Sequence, residues 1–290
     1  MGLLNRQDRQ VLRSIQAHMH AAVLDARVVF EQIGTVDVMF HPINADPFLN
    51  CVTPHRGVAW IRRDDLGAAF TGLERLGRVP RLVFQDALFP DAFQQQIALM
   101  GLTLENARMV MLYRPVSGPV LPGETPRGRL PETFEVGVTA KIAATQPDLA
   151  AWLRIFHAGY YRAESVVIDP ATVEPLVAAA EEGNKLFITA YFEGTPLGVA
   201  RVGLRETTAE LELVVTAPLW HTMGLEPAMV TIGVQAALEH GCEIIFTIAP
   251  SREFEYLYHR LGFVELTRVL TFWLAEGAID HISGKERNIR

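Results

Sequence analysis

The chain has 290 residues, 49% hydrophobic and 20% charged, too apolar for a disordered protein and long enough for two domains at about 150 residues each. Its 33 acidic against 26 basic residues give a net charge of −7. That argues against the broad cationic footprint that nucleic acid or an anionic membrane needs.

The start turns polar within five residues, and Arg6 stands where a myristoylation pattern needs Ser or Thr. There is no run of 18 apolar residues, and Cys51 and Cys242 are too few for a disulfide framework. A cytoplasmic protein with no membrane span is expected.

Along the chain, Val11, Leu12, Ile15, His18 and Met19 have the spacing of a helix over 5–26. Pro42, Pro47 and Pro54 predict a loop-rich stretch over 41–57. A helix over 66–76, a strand over 81–85, a helix over 89–100 and a strand over 108–113 follow. Pro115, Pro119, Pro122, Pro126 and Pro131, with Gly118, Gly123 and Gly128 between them, predict an extended linker over 115–131. It separates an N-terminal domain, 1–114, from a second domain, 132–276, and a polar tail, 277–290.

The second domain opens with a strand over 134–140 and helices over 147–157 and 172–182. Strands over 186–192, 197–204 and 209–215 follow, set off by the turns Glu193-Gly194-Thr195-Pro196 and Arg205-Glu206-Thr207. A helix over 225–240 ends at Gly241, a short apolar strand covers 244–248, Ser251 can cap a helix to 261, and a strand covers 264–274. This order predicts an α/β (α+β) fold, a mixed sheet flanked by helices. A weak internal repeat aligns 90–113 with 251–274, Gly101 with Gly262 and Ile97 with Tyr258. It suggests two related halves in tandem, although a helix, a glycine and a strand in succession is also a common chance pattern.

Glycine-rich phosphate loops, the zincin motif and the nucleophile elbow are all missing from the sequence. His18, His20, His41 and His55 have no spacing that suits a shared metal. Chemistry concentrates instead between Ala209 and Phe263. Glu210 and Glu212 are expected to share one face of their strand, with Leu211, Leu213 and Val215 on the other. The loop that follows contains Trp220 and His221 and runs through Gly224 to Glu226 and Pro227, a helix start whose unpaired N–H groups suit an anion.

Pro218, Gly224 and the later Tyr258, Gly262 and Phe263 resemble the motifs of the GNAT acyltransferase superfamily, and the element order over 133–275 agrees. The resemblance implies a GNAT-like fold, two halves in tandem, and transfer of an acetyl group from acetyl-CoA to an amine of a small molecule or peptide. It implies Glu212 or Glu210 as the base and Tyr258 as the acid. Val214, Val215, Thr216, His221, Thr222, Met223, Gly224, Leu225, Glu226 and Ser251 would contact the co-substrate. Neither nucleic acid nor membrane is an expected partner, and a homodimer is compatible with this reading. His221 stands where the family has Arg or Gln, and Glu226 puts a carboxylate near the pyrophosphate position. A second reading therefore stays open, a catalytically silent acyl-CoA-binding or structural relative. Trp220 and Tyr256 are either walls of an acceptor pocket or plain packing.

Overall fold

The computed structural model describes residues 5–114, 138–163, 166–223 and 226–274. The linker expected over 115–131 and the tail over 277–290 lie outside these residues, as does the first part of the strand expected over 134–140. The chain divides into two compact units, one built from residues up to Met109 and from Leu266 on, the other from Val110–Glu265.

The first unit contains α1 (Arg6–Asp25), β1 (Val29–Ile33), β2 (Val36–Phe40), β3 (Cys51–Pro54), α2 (Arg63–Arg75), β4 (Arg81–Gln85) and α3 (Asp91–Leu99). Its sheet runs β1-β2-β3-β4 and ends on β11 (Phe263–Leu274), the last strand in the sequence. Pairing along it is antiparallel, antiparallel, parallel, antiparallel. Phe70, Phe93, Ile97, Leu82, Leu270 and Phe272 form its buried core. The β11 segment is tied down by Asp86, whose carboxylate accepts from Thr267 Oγ1 (2.7 Å) and from Arg268 N, Nε and Nη2 (3.0, 2.8 and 2.7 Å).

The second unit contains β6 (Val138–Ile142), α4 (Gln146–Tyr160), α5 (Pro170–Glu181), β7 (Lys185–Phe192), β8 (Thr195–Arg205), β9 (Thr208–Thr216), α6 (Glu226–Glu239), β10 (Ile244–Ile248) and α7 (Arg252–Arg260). Its sheet runs β6-β7-β8-β9-β10 and ends on β5 (Leu102–Tyr113), which comes from the first half of the sequence. From β7 onward the pairing is again antiparallel, antiparallel, parallel, antiparallel. Each unit thus repeats one scheme, with a helix crossing between its two parallel strands, and each takes its last strand from the other half of the sequence.

The expected repeat is present in detail. α3 and α7 are each followed by a glycine at φ +89°, Gly101 and Gly262, and then by a 12-residue strand. That φ strains any residue with a Cβ, which explains why glycine recurs at this point. β5 starts at Leu102 instead of 108, and β3 lies within the stretch expected to be a loop.

Candidate active site

β9 and β10 are the parallel pair of the second unit. Their ladder runs from Ile244 opposite Thr208 to Phe246 opposite Glu210, yet β9 continues to Thr216 and β10 to Ile248. Beyond Glu210, β9 is laddered to β8 alone. The first contact past the last pair is made by a side chain, with Thr247 Oγ1 donating to the Leu211 carbonyl (2.9 Å). The strands therefore part at Glu210 and Phe246, and the helices that follow them, α6 and α7, start near the open end. Ligands of open α/β sheets commonly bind at such carboxyl ends.

Tyr258, on α7, is buried against Phe263 and Phe254, with ring centroids 5.3 and 6.0 Å away. Its hydroxyl bonds the Thr247 side chain. Burial pushes the phenol above its ordinary value, and the Thr247 hydrogen bond opposes that only in part. Tyr258 thus holds a proton at neutral pH where the strands part. Ile97, its counterpart in the first unit, is apolar and fully buried.

The two glutamates of β9 have different surroundings. The β8–β9 register shifts by one residue, with Arg201 opposite Leu213 and Val202 opposite Leu211, so Glu212 is the extra residue of a β-bulge. The bulge alters the expected alternation. Leu211 packs under Gly233 of α6, whereas Leu213 and Val215 join the core beneath α4 and α5, on the opposite face. Glu212 lies on that same α4/α5 face, between Lys185 Nζ (2.6 Å) and Arg201 Nε (2.5 Å), with its side chain only 11% exposed. Burial is the largest single influence on its carboxyl and acts upward, but the charges of Arg201 and Lys185 together with the hydrogen bonds they donate outweigh it and hold the group below its ordinary value. Glu210 sits at the last rung of the β9–β10 ladder, half-buried.

The end of β9 is held by two glycines. A Cβ on Gly159 of α4 would meet Val215 Cγ1 at 2.4 Å and the Thr216 carbonyl at 2.5 Å. One on Gly198 of β8 would meet the Val215 carbonyl at 2.5 Å. Helix and strand thus approach closer than any side chain would permit. Thr216 Oγ1 makes a long contact (3.5 Å) with Glu226 Oε1 at the first turn of α6, so a carboxylate faces the end of β9. This half-buried acid favours the helix start electrostatically.

His221, Thr222 and Met223 belong to a short 3-10 turn, Pro218–Met223, but their side chains lie outside the description, as do Gly224 and Leu225 entirely. Ser251 is the N-cap residue of α7, but its hydroxyl bonds Glu253 (3.0 Å) instead of capping the backbone. Trp220 is engaged in packing, donating to the Pro196 carbonyl (2.9 Å) with its ring on Phe192. Tyr256 is exposed. The structure thus brings Glu210, Val214, Val215, Thr216 and Tyr258 to the parting strands, with Glu226 opposite Thr216. Sequence reasoning missed Lys185, Arg201 and Thr247, which carry no motif. Gly159 and Gly198, each inside a regular element, were the available signals of close approach.

No family model and no curated protein matches the chain. Solved structures do. A GCN5-related N-acetyltransferase from Kribbella flavida matches at TM-score 0.65 and 16% identity, over 94% of this chain and 97% of that one. A tandem GNAT protein from the clavulanic acid biosynthesis pathway matches at TM-score 0.54 and 12% identity, over 82% and 77%. A GCN5-related N-acetyltransferase from Sphaerobacter thermophilus matches at TM-score 0.51 and 14% identity, over 83% and 81%. The chain has the GNAT fold, in tandem. No helix among the described residues is long and apolar enough to cross a membrane.

Proposed function

We propose that the second unit is an N-acyltransferase that moves an acetyl group from acetyl-CoA to the amine of a small molecule or peptide by direct attack. The observation that carries this reading is the Tyr258 hydroxyl, buried, proton-loaded and held by Thr247 beside the parting of β9 and β10. Acyl-CoA supplies an activated thioester and is a substrate of the reaction. The half-open edge of β9 suits its extended arm, and amides near Val214, Val215 and Thr216 are the candidates to polarise the thioester carbonyl. Glu210, half-buried at the last rung of the β9–β10 ladder, is the candidate to accept the proton of the attacking amine, and Glu212, held by Lys185 and Arg201, is the weaker base. Tyr258 gives its Oη proton to the departing sulfur. The two residues then restore their proton balance through solvent.

One observation favours the silent alternative: Glu226 faces Thr216 where a diphosphate would approach the start of α6. Like charges there weaken binding without necessarily abolishing it. Calorimetric titration with acetyl-CoA, followed by thiol release across a panel of amines, tests both readings. Binding is expected, about tenfold tighter in Glu226→Gly (about 1.4 kcal/mol of relieved repulsion), together with thiol release. No binding by either protein overturns the enzyme reading. Binding without release on any amine favours the silent one.

A further inference from the structure

The core-facing stripe of α4 carries a column of aromatic rings. Trp152 and Phe156 stack at 5.6 Å with planes 19° apart, and Phe156 and Tyr160 at 5.3 Å and 25°. These residues are at i, i+4 and i+8, the spacing that aligns side chains along one helix face. The inner end is fixed, since Trp152 is 1% exposed and its indole N–H donates to the Ala200 carbonyl (3.1 Å). The outer end is open, with Tyr160 61% exposed. Tyr161, 63% exposed, stands edge-on to Tyr160 at 5.0 Å and 83° and also meets Phe156 and His157.

The position of the outer end gives it meaning. Gly159, the residue before Tyr160, is the one pressed onto Val215 and Thr216 at the end of β9. A helix stripe that is buried while it crosses the sheet becomes exposed at Tyr160, next to the glycine pressed onto the end of β9 at Val215 and Thr216. Core aromatics normally end where the core ends; here Tyr160 continues the column past it, with Tyr161 edge-on beside it.

We propose that Tyr160 and Tyr161 select the acceptor, and that the acceptor is an amine carried on a planar aromatic ring, which stacks on Tyr160 as the next member of the column. The near-parallel planes of the existing rings favour another offset-stacked ring, and Tyr161 provides the edge-on wall that aromatic clusters prefer. Two tyrosines also order a ligand at little side-chain entropy cost, since each has only two torsions to fix. This rests on the acyltransferase reading for the reaction but not for the binding.

The test compares 2-phenylethylamine with 2-cyclohexylethylamine, which share the linker and the amine and differ in ring planarity. Calorimetry without any thioester measures binding to the full chain. The phenyl amine is expected to bind about fivefold tighter than the cyclohexyl amine. Tyr160→Phe should keep that preference and Tyr160→Ala should erase it, with circular dichroism checking that both variants fold. Equal affinities in the wild type, a preference that survives Tyr160→Ala, or no binding of either amine would each overturn the proposal. Selective binding combined with no acetyl transfer would overturn the acyltransferase reading and leave the aromatic selectivity standing.

Discussion

Replacing Glu212 by Gln separates a structural carboxylate from a catalytic one. The wild-type side chain is 11% exposed and compensates two cations, Lys185 and Arg201, at 2.6 and 2.5 Å. An amide can accept from one of them but turns its NH2 toward the other, leaving a cation without its partner. Removing one member of a buried pair costs about 3–5 kcal/mol. The Lys185 and Arg201 side chains are 22% and 38% exposed, so both rehydrate in part, and the lower figure of about 3 kcal/mol is expected. At about 2–4 °C per kcal/mol for a unit of this size, Tm falls by about 6–12 °C. Activity per folded molecule should change less than about threefold, since an ion-paired carboxylate held below its ordinary value is a poor base.

The linkage has a definite sign. The folded carboxyl lies below its ordinary 4.5, so the unfolded state takes up more protons there and stability is lost as pH falls below about 4.5. The stability gap between wild type and Glu212→Gln is expected to be full above that pH and to narrow below it. Thermal melts from pH 3 to 7 with parallel initial rates provide the assay. A Tm within 1–2 °C of wild type combined with a hundredfold loss of turnover would refute the reasoning and return the base role to Glu212.

Two further substitutions probe the framework. Gly159→Ala introduces a Cβ at 2.4 Å from Val215 and 2.5 Å from a backbone carbonyl that cannot rotate away. It should cost about 2–3 kcal/mol in urea melts and raise KM for the amine, and a cost below about 0.5 kcal/mol would mean that the close approach is not real. Asp86→Asn removes the charge that Arg268 and Thr267 share and should cost about 2–4 kcal/mol. Hydrogen exchange should rise selectively over Arg81–Gln85 and 266–274, whereas unchanged protection there would show that β11 is held by other means.

Much of the second unit was legible because its elements follow simple periods. The strands at β7, β8, β9 and β10 alternate or run apolar between turn signals, and the glycines after α3 and α7 made the repeat visible. β1 was not legible because Val29–Ile33 is exposed at four of five positions and has no apolar face to reveal it. The first half of β5 was missed for the same reason, with Thr103 to Ala107 all exposed. The bulge at Glu212 left no local signal, and it reversed the expected facing of Leu211 relative to Leu213 and Val215. The pairing of β4 with β11 and of β10 with β5 joins strands far apart in the sequence, which local propensity does not encode. At the candidate site, the motif positions of Tyr258, Glu210 and Glu212 were readable, but the ionic partners of Glu212 were not, since Lys185 and Arg201 lie on other strands.

The central claim is that the second unit transfers an acyl group with Tyr258 as the acid. Its most direct test is the single-turnover rate of acetyl transfer by Tyr258→Phe, measured alongside acetyl-CoA affinity. Loss of the proton donor predicts a rate at least about a hundredfold lower with Kd within about twofold of wild type. A rate equal to that of the wild type would contradict the account.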